Sequence, residues 1–248
     1  MDKAFQPAFL LHHRPFRDSS VIAEFFTPEW GRVPAVAKAV RGGSARMRQM
    51  AASLQPFQEL QISLRGKGEL KTLVSVESAR PYTLQGHNLY AALYLNELTL
   101  RLLHRLDPHP DLWHLYRECL QHLSQAPVLE PVLRCYELGL LDQLGYGLVF
   151  DTDAASGESV TEDGEYLFAA ERGFVRQFGL PAHPGELRYS GKALLVVANR
   201  IAAGAVMSGE AWLPAELRIL KQVCRQALAP LLGSQPLKSR ELFTGKAL

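Results

Sequence analysis

The sequence predicts an α+β protein in which a small five-stranded barrel precedes a mostly helical body. Apolar residues alternate in short runs over residues 1–80 and recur with a period near 3.6 after Pro81. Charge changes at the same place: twelve Lys and Arg face seven Asp and Glu in residues 1–80, against fifteen and eighteen in the remainder. A basic, strand-rich module followed by a mildly acidic helical body suggests that one end grips a polyanion while the other packs and meets protein partners.

The strand-like runs are 5–13, 20–27, 32–39, 54–64 and 69–77, separated by turn formers at 15–18, 28–31, 42–43 and 66–68. Five short strands in about eighty residues suit a partly open Greek-key barrel of the OB type. An SH3-like barrel has nearly the same count, so strand number alone does not choose. The long connection at 40–53 is basic, rich in small residues, and reads as a mobile loop. Helices are expected near 89–103, 111–123, 130–144, 190–203 and 214–231, with Pro131 and Pro214 in first turns and Gly145 as a stop. Between them, 147–178 is rich in Gly, Asp, Glu and Ser, and its apolar pieces at 148–150, 166–168 and 173–175 suit a small β insertion. The expected domains are 1–80 and 81–248.

Of the 248 residues 47% are hydrophobic and 21% charged, the composition of a soluble chain that can bury a core. Cys119, Cys135 and Cys224 are odd in number and lie in apolar-periodic stretches, which points to buried thiols in a reducing compartment. With neither a signal-peptide pattern nor an apolar run of about 18 residues, the expected location is the cytoplasm.

The first candidate surface is a set of cations: Arg14, then Arg32, Lys38, Arg41, Arg46 and Arg48, then Arg65, Lys67 and Lys71. Between positions 32 and 71 only Glu59 and Glu69 oppose eight of them. Such a surface suits phosphate backbones; the bland alternative is a solubilising face. Phe16, Phe25, Phe26, Trp30 and Phe57 are available for base stacking, and Phe16 and Trp30, which fall in turns, are the best placed. Phe25 and Phe26 are neighbours, so one of them must point inward.

Catalytic patterns are missing. The chain has no G-x-S-x-G and no C-x-x-C, and the glycines at 42–43 and 66–68 lack the spacing of a phosphate-binding loop. Asp151, Asp153, Glu162, Asp163 and Glu165 form an acidic cluster, but in a Gly- and Ser-rich loop rather than on rigid elements. No catalytic residue, metal or cofactor is expected, and the chain is read as a non-enzyme.

Seven segments in order resemble the RecO family of bacterial recombination mediators. They are Phe9-Leu10-Leu11-His12-His13-Arg14-Pro15-Phe16, Gly31-Arg32-Val33-Pro34-Ala35-Val36-Ala37-Lys38, Leu54-Gln55-Pro56-Phe57, Gly68-Glu69-Leu70-Lys71-Thr72-Leu73, Tyr94-Leu95-Asn96-Glu97-Leu98, Leu144-Gly145-Tyr146-Gly147 and Pro236-Leu237-Lys238-Ser239-Arg240-Glu241-Leu242-Phe243. The resemblance implies an N-terminal OB-fold, a helical C-terminal domain and a non-enzymatic role: binding single- and double-stranded DNA, annealing complementary strands, and loading recombinase onto DNA coated by single-strand binding protein. It also implies partnership with RecR, with the acidic C-terminal tail of the single-strand binding protein and, indirectly, with RecA.

Within the resemblance, Lys38 and Arg41 match DNA-contacting positions, although Ala39 stands where the family commonly has Gly. Some members hold zinc through four cysteines in the insertion; here 147–178 has neither Cys nor His, so zinc does not transfer. Arg134 matches a helical Arg of the tail-binding pocket, for which Leu133, Tyr136 and Leu140 could form an apolar slot. The alternative is that Arg134 pairs with Glu130 or Glu137 on its own helix. Competing readings of the whole chain are an RNA- or protein-binding adaptor with incidental DNA affinity, and a metal-dependent nuclease using the acidic insertion.

Overall fold

A computed structural model describes residues 5–38, 44–125, 129–179, 186–204 and 212–243. Strands β1 (Gln6–Phe16), β2 (Ser20–Thr27), β3 (Gly31–Ala37), β4 (Gln58–Arg65) and β5 (Lys71–Pro81) form a closed barrel in the order β1-β2-β3-β5-β4. Strand β1 closes it by pairing with β4, and the sole parallel pair in it is β3 with β5. This order is that of the OB barrel.

Alternation decides which side chains fill the barrel. Val21, Ala23 and Phe25 of β2 point inward against Ala8, Leu10, Ala35, Leu60, Ile62 and Leu73. Phe26 therefore faces outward, yet it is buried by an element that follows the barrel.

The connection expected to be a basic loop contains a helix, α1 (Ala45–Ser53), whose Met50, with Leu54 just beyond it, joins the barrel core. Its sequence, Ala-Arg-Met-Arg-Gln-Met-Ala-Ala-Ser, consists largely of good helix formers. The strand expected to begin at Leu54 begins instead at Gln58, because Phe57 adopts φ 59°, which extended pairing cannot accommodate.

After the barrel come helices α2 (Gly86–Leu102), α3 (Pro110–Gln125) and α4 (Glu130–Gln143), then strands β6 (Glu165–Ala169), β7 (Gly173–Gln177) and β8 (Arg188–Ser190). Helices α5 (Gly191–Ala202), α6 (Pro214–Leu232) and α7 (Lys238–Phe243) complete the chain's described elements. The apolar piece at 148–150 is not a strand. By contacts the chain divides into residues 1–127 with 237–248, and residues 128–236. Among the described residues no helix is long and apolar enough to cross a membrane.

In the first unit, α2 and α3 cover the outer side of β1 and β2. The Phe9 ring lies 4.9 Å from Tyr116 and 5.4 Å from Trp113, and Trp113 Nε1 donates to the Phe26 carbonyl at 3.1 Å. Asn96, buried mid-helix, donates to the Leu11 carbonyl at 3.0 Å and accepts from the Tyr116 hydroxyl, so its polar atoms are matched where water is excluded. Helix α7 packs on α2, with the Glu97 carboxylate accepting from Lys238 N at 3.0 Å, Ser239 N at 2.9 Å and Ser239 Oγ at 2.6 Å.

In the second unit the sheet order is β7-β6-β8, α6 packs on β6, and both α4 and α5 pack on α6. The residues of the insertion do not fit the four-cysteine zinc site that the resemblance raised, since they offer no Cys or His. Hydrogen bonds close the segment instead: Asp153 N to Glu158 O at 2.8 Å, Gly157 N to Asp153 O at 2.8 Å, Val160 N to Asp151 O at 2.8 Å, and Ala155 N to Asp153 Oδ1 at 2.9 Å.

The bond from the Ala155 N–H is the foremost cause holding the Asp153 carboxyl below its usual range. A depressed folded-state pKa gives stability that is present above the unfolded value and lost as pH falls through the folded one. Asp153→Asn is expected to flatten the acid limb of this unit's stability, read from urea unfolding at pH 7 and pH 3. An unchanged difference between the two pH values would rule out this role.

Candidate nucleic-acid interface

Register places two of the expected cations on the outer side of the barrel. Arg14 pairs with Ile22, Ile22 with Val36, Val36 with Thr72, and Thr72 with Arg65, a continuous row across all five strands. Paired residues share a face, and this row has the parity opposite to the core residues Val21, Ala23, Ala35 and Leu73. Arg14 and Arg65 thus both lie on the outer side, at the two ends of a row that follows the circumference of the closed barrel.

Lys38 is exposed two residues beyond Val36, so it continues the same side of β3. Lys67 is exposed in the β4–β5 turn beside Arg65. Lys71, half-buried at the start of β5, donates to the Gly66 carbonyl at 3.2 Å, and its ammonium lies 5.8 Å from the centre of the Trp30 ring. Arg48 is exposed on α1. Arg41 lies outside the described residues, as does the side chain of Arg46 on α1.

Arg17, which the sequence reading did not single out, adds to this side. It sits at φ 54° in the β1–β2 turn, exposed, with its guanidinium 5.1 Å from the Phe16 ring centre. Turn position and charge were the signals that could have found it. Asp18 and Glu69 are the acidic residues in the same two turns.

Arg32 belongs elsewhere. It faces outward, but on the side that the end of α2 covers: its Nη1 donates to the Leu100 carbonyl, and its Nε lies 3.8 Å from Glu24. Glu24 is also held by Arg105 at 2.5 Å. Burial, more than the neighbouring charges, pushes the Arg32 guanidinium below its ordinary pKa. Arg32 ties the barrel to the segment after α2 rather than standing ready for phosphate.

The expected stacking residues also separate. Phe25, Phe26 and Phe57 are buried, and Phe16 is half-buried. Trp30 is 38% exposed.

In the second unit the slot expected around Arg134 is not open. Leu133 and Tyr136 are buried, and Arg134 is 4% exposed, with Nη2 2.9 Å from Glu137 and Nη1 3.8 Å from Glu130. Nη2 pairs along its own helix, while Nε and Nη1, also buried, make no hydrogen bond. Cys224 of α6 lies beside this pair; burial, and secondarily Glu137, pushes its thiol well above the ordinary value. A groove of about 280 Å³ opens instead along α4 and α6, lined by Glu130, Pro214, Leu217, Arg218 and Lys221. Lys221 reaches Glu130 at 2.5 Å, and Arg218 is exposed. Sequence reading missed this groove because its cations and its apolar floor come from a helix some eighty residues beyond Arg134.

Among the described residues, no group of three or more His, Cys, Asp or Glu is arranged to hold a metal ion. Two features stand out among the described residues: exposed Arg14 and Arg65 on the outer side of the barrel, and a groove in the second unit with Arg218 and the Lys221–Glu130 pair in its lining.

Comparison with known proteins finds two adjoining family matches. The family model described as "Recombination protein O N terminal" matches residues 1–82, and "Recombination protein O C terminal" matches residues 84–241. The chain is 42% identical over 240 residues to a DNA repair protein RecO of Pseudoalteromonas atlantica, covering 95% of this chain and 92% of that one. It is 41% identical over 239 residues to that of Stutzerimonas stutzeri, covering 96% and 92%, and 40% identical over 243 residues to that of Coxiella burnetii, covering 97% of each. Two adjoining models and relatives matched along nearly their whole length place the chain in the RecO family of DNA repair proteins.

Proposed function

We propose that this chain binds single- and double-stranded DNA through the outer row of its barrel, anneals complementary strands, and mediates loading of recombinase onto DNA coated by single-strand binding protein. The observation that carries the reading is the row itself, from Arg14 to Arg65, with Arg17, Lys38, Lys67 and Lys71 beside it. Cations that neutralise two backbones remove the repulsion keeping complementary strands apart, so annealing follows without base readout. No bond needs to break, and the protein acts as a mediator rather than an enzyme, in the cytoplasm at the nucleoid.

The second unit supplies partner docking in this reading. An acidic peptide ending in an apolar residue and a carboxylate suits an apolar groove with cations at its rim. The groove with Leu217, Arg218 and Lys221 takes that part for the tail of the single-strand binding protein, in place of Arg134. RecR is a further partner, and RecA benefits indirectly.

Salt tests the first claim. Six cations meeting six phosphates of a single strand give a slope of log affinity against log salt of about −4, and replacing Arg14, Lys38, Arg65 and Lys67 by Ala brings it to about −1.4. Affinity unchanged between low and high salt in the wild-type protein would overturn the reading. Incubation with labelled single strands and Mg²⁺ separates the competitors: cleavage indicates a nuclease, and absence of retention an adaptor for RNA or protein.

A further inference from the structure

We infer that Trp30 stacks on an unpaired base and makes the barrel favour single strands over duplex; this rests on the DNA-binding reading above. Of the three tryptophans, Trp113 and Trp212 are 2% and 7% exposed, whereas Trp30 is 38% exposed. An indole left in water forgoes burial that a core position would give, and the neighbouring packing does not claim it.

The turn that presents it is built to be rigid. Thr27 Oγ1 donates to the Gly31 carbonyl at 3.2 Å and accepts from Trp30 N at 3.1 Å, closing the β2–β3 turn on itself. A rigid, exposed aromatic spends little conformational entropy on binding. Trp30 is also next to charge: Lys71 Nζ lies 5.8 Å from its ring centre. An aromatic face beside cations is the combination that single-stranded nucleic acid uses, base on ring and phosphate on cation.

Selectivity follows from geometry. In a duplex both faces of a base are occupied by its neighbours, so a side chain at the surface has no face to stack on. A single strand offers one at each nucleotide. Phosphate contacts serve both forms, and stacking serves one.

The test uses the full chain with oligothymidylate and a duplex of equal length at matched salt. Trp30 is the exposed fluorophore, so its emission is expected to be quenched by the single strand and little changed by the duplex. Trp30→Ala is expected to bind the single strand about tenfold more weakly, with duplex affinity within about twofold, and Trp30→Phe to restore most of the loss. Equal single-strand affinity for Trp30→Ala and wild type overturns the stacking role while leaving the basic row standing. Equal weakening toward both forms also overturns it. Failure of the wild-type protein to bind either form removes both readings together.

Discussion

Arg134→Ala is expected to destabilise the second unit by about 3–5 kcal/mol, because it leaves the Glu137 carboxylate buried without its guanidinium partner. Both side chains are almost wholly out of water, and Arg134 Nη2 lies 2.9 Å from Glu137 Oε1. Replacing both, as Arg134→Met with Glu137→Leu, is expected to recover most of the loss, since a well-packed apolar pair removes the desolvation penalty along with the attraction. Urea unfolding followed by circular dichroism measures both variants. A single variant within about 1 kcal/mol of wild type would mean that the pair does not hold α4 in place. The same proteins separate structure from docking: the double variant should bind an acidic peptide as wild type does, whereas Arg218→Ala with Lys221→Ala should not. Loss of peptide binding in a stable double variant would return the docking role to Arg134.

Gly31→Ala is expected to cost about 3 kcal/mol or more in the first unit. An added Cβ would stand 1.8 Å from the Asp107 carbonyl oxygen and 2.5 Å from its carbon, both backbone atoms that no rotamer can move. The backbone there also has φ 62°, which by itself costs a residue with a side chain about 1 kcal/mol or more. Nearby, Leu106 N donates to the Arg32 carbonyl at 2.9 Å, so the clash falls where the segment after α2 is pinned to β3. Thermal unfolding should show a fall of several degrees, and a melting temperature within one degree of wild type would show that the segment yields freely. Duplex binding at a temperature where the variant is folded should persist, since Arg14 and Arg65 lie on other pairs of residues.

The strands were legible because burial on one face writes a period of two into the sequence, as in Val21, Ala23 and Phe25 of β2. The helices of the second unit were legible for the matching reason at period 3.6. Helix α1 was not, because Gly42-Gly43 and its many arginines look like a loop, and only Met50 and Leu54 reach the core. The roles of Arg32 and Arg134 were illegible for a different reason. A charged residue reads as exposed until something distant covers it, and what covers Arg32 is supplied by Leu100, 68 residues later. Arg14 and Arg65 are exposed on the outer side of the barrel, although Ile22, which belongs to the same row, is buried. Trp30 was legible as a turn aromatic, but its exposure is a fact of packing.

The bonds from Lys238 and Ser239 to Glu97 bear on the order in which the molecule is completed. Ribosomal synthesis delivers residues 128–236 before α7 exists, so the first unit waits for its last piece until the second has emerged. During that interval the Glu97 carboxylate is solvated and the α7 side of α2 is bare. The first unit is therefore discontinuous in time as well as in sequence, begun at one end of the chain and finished near the other.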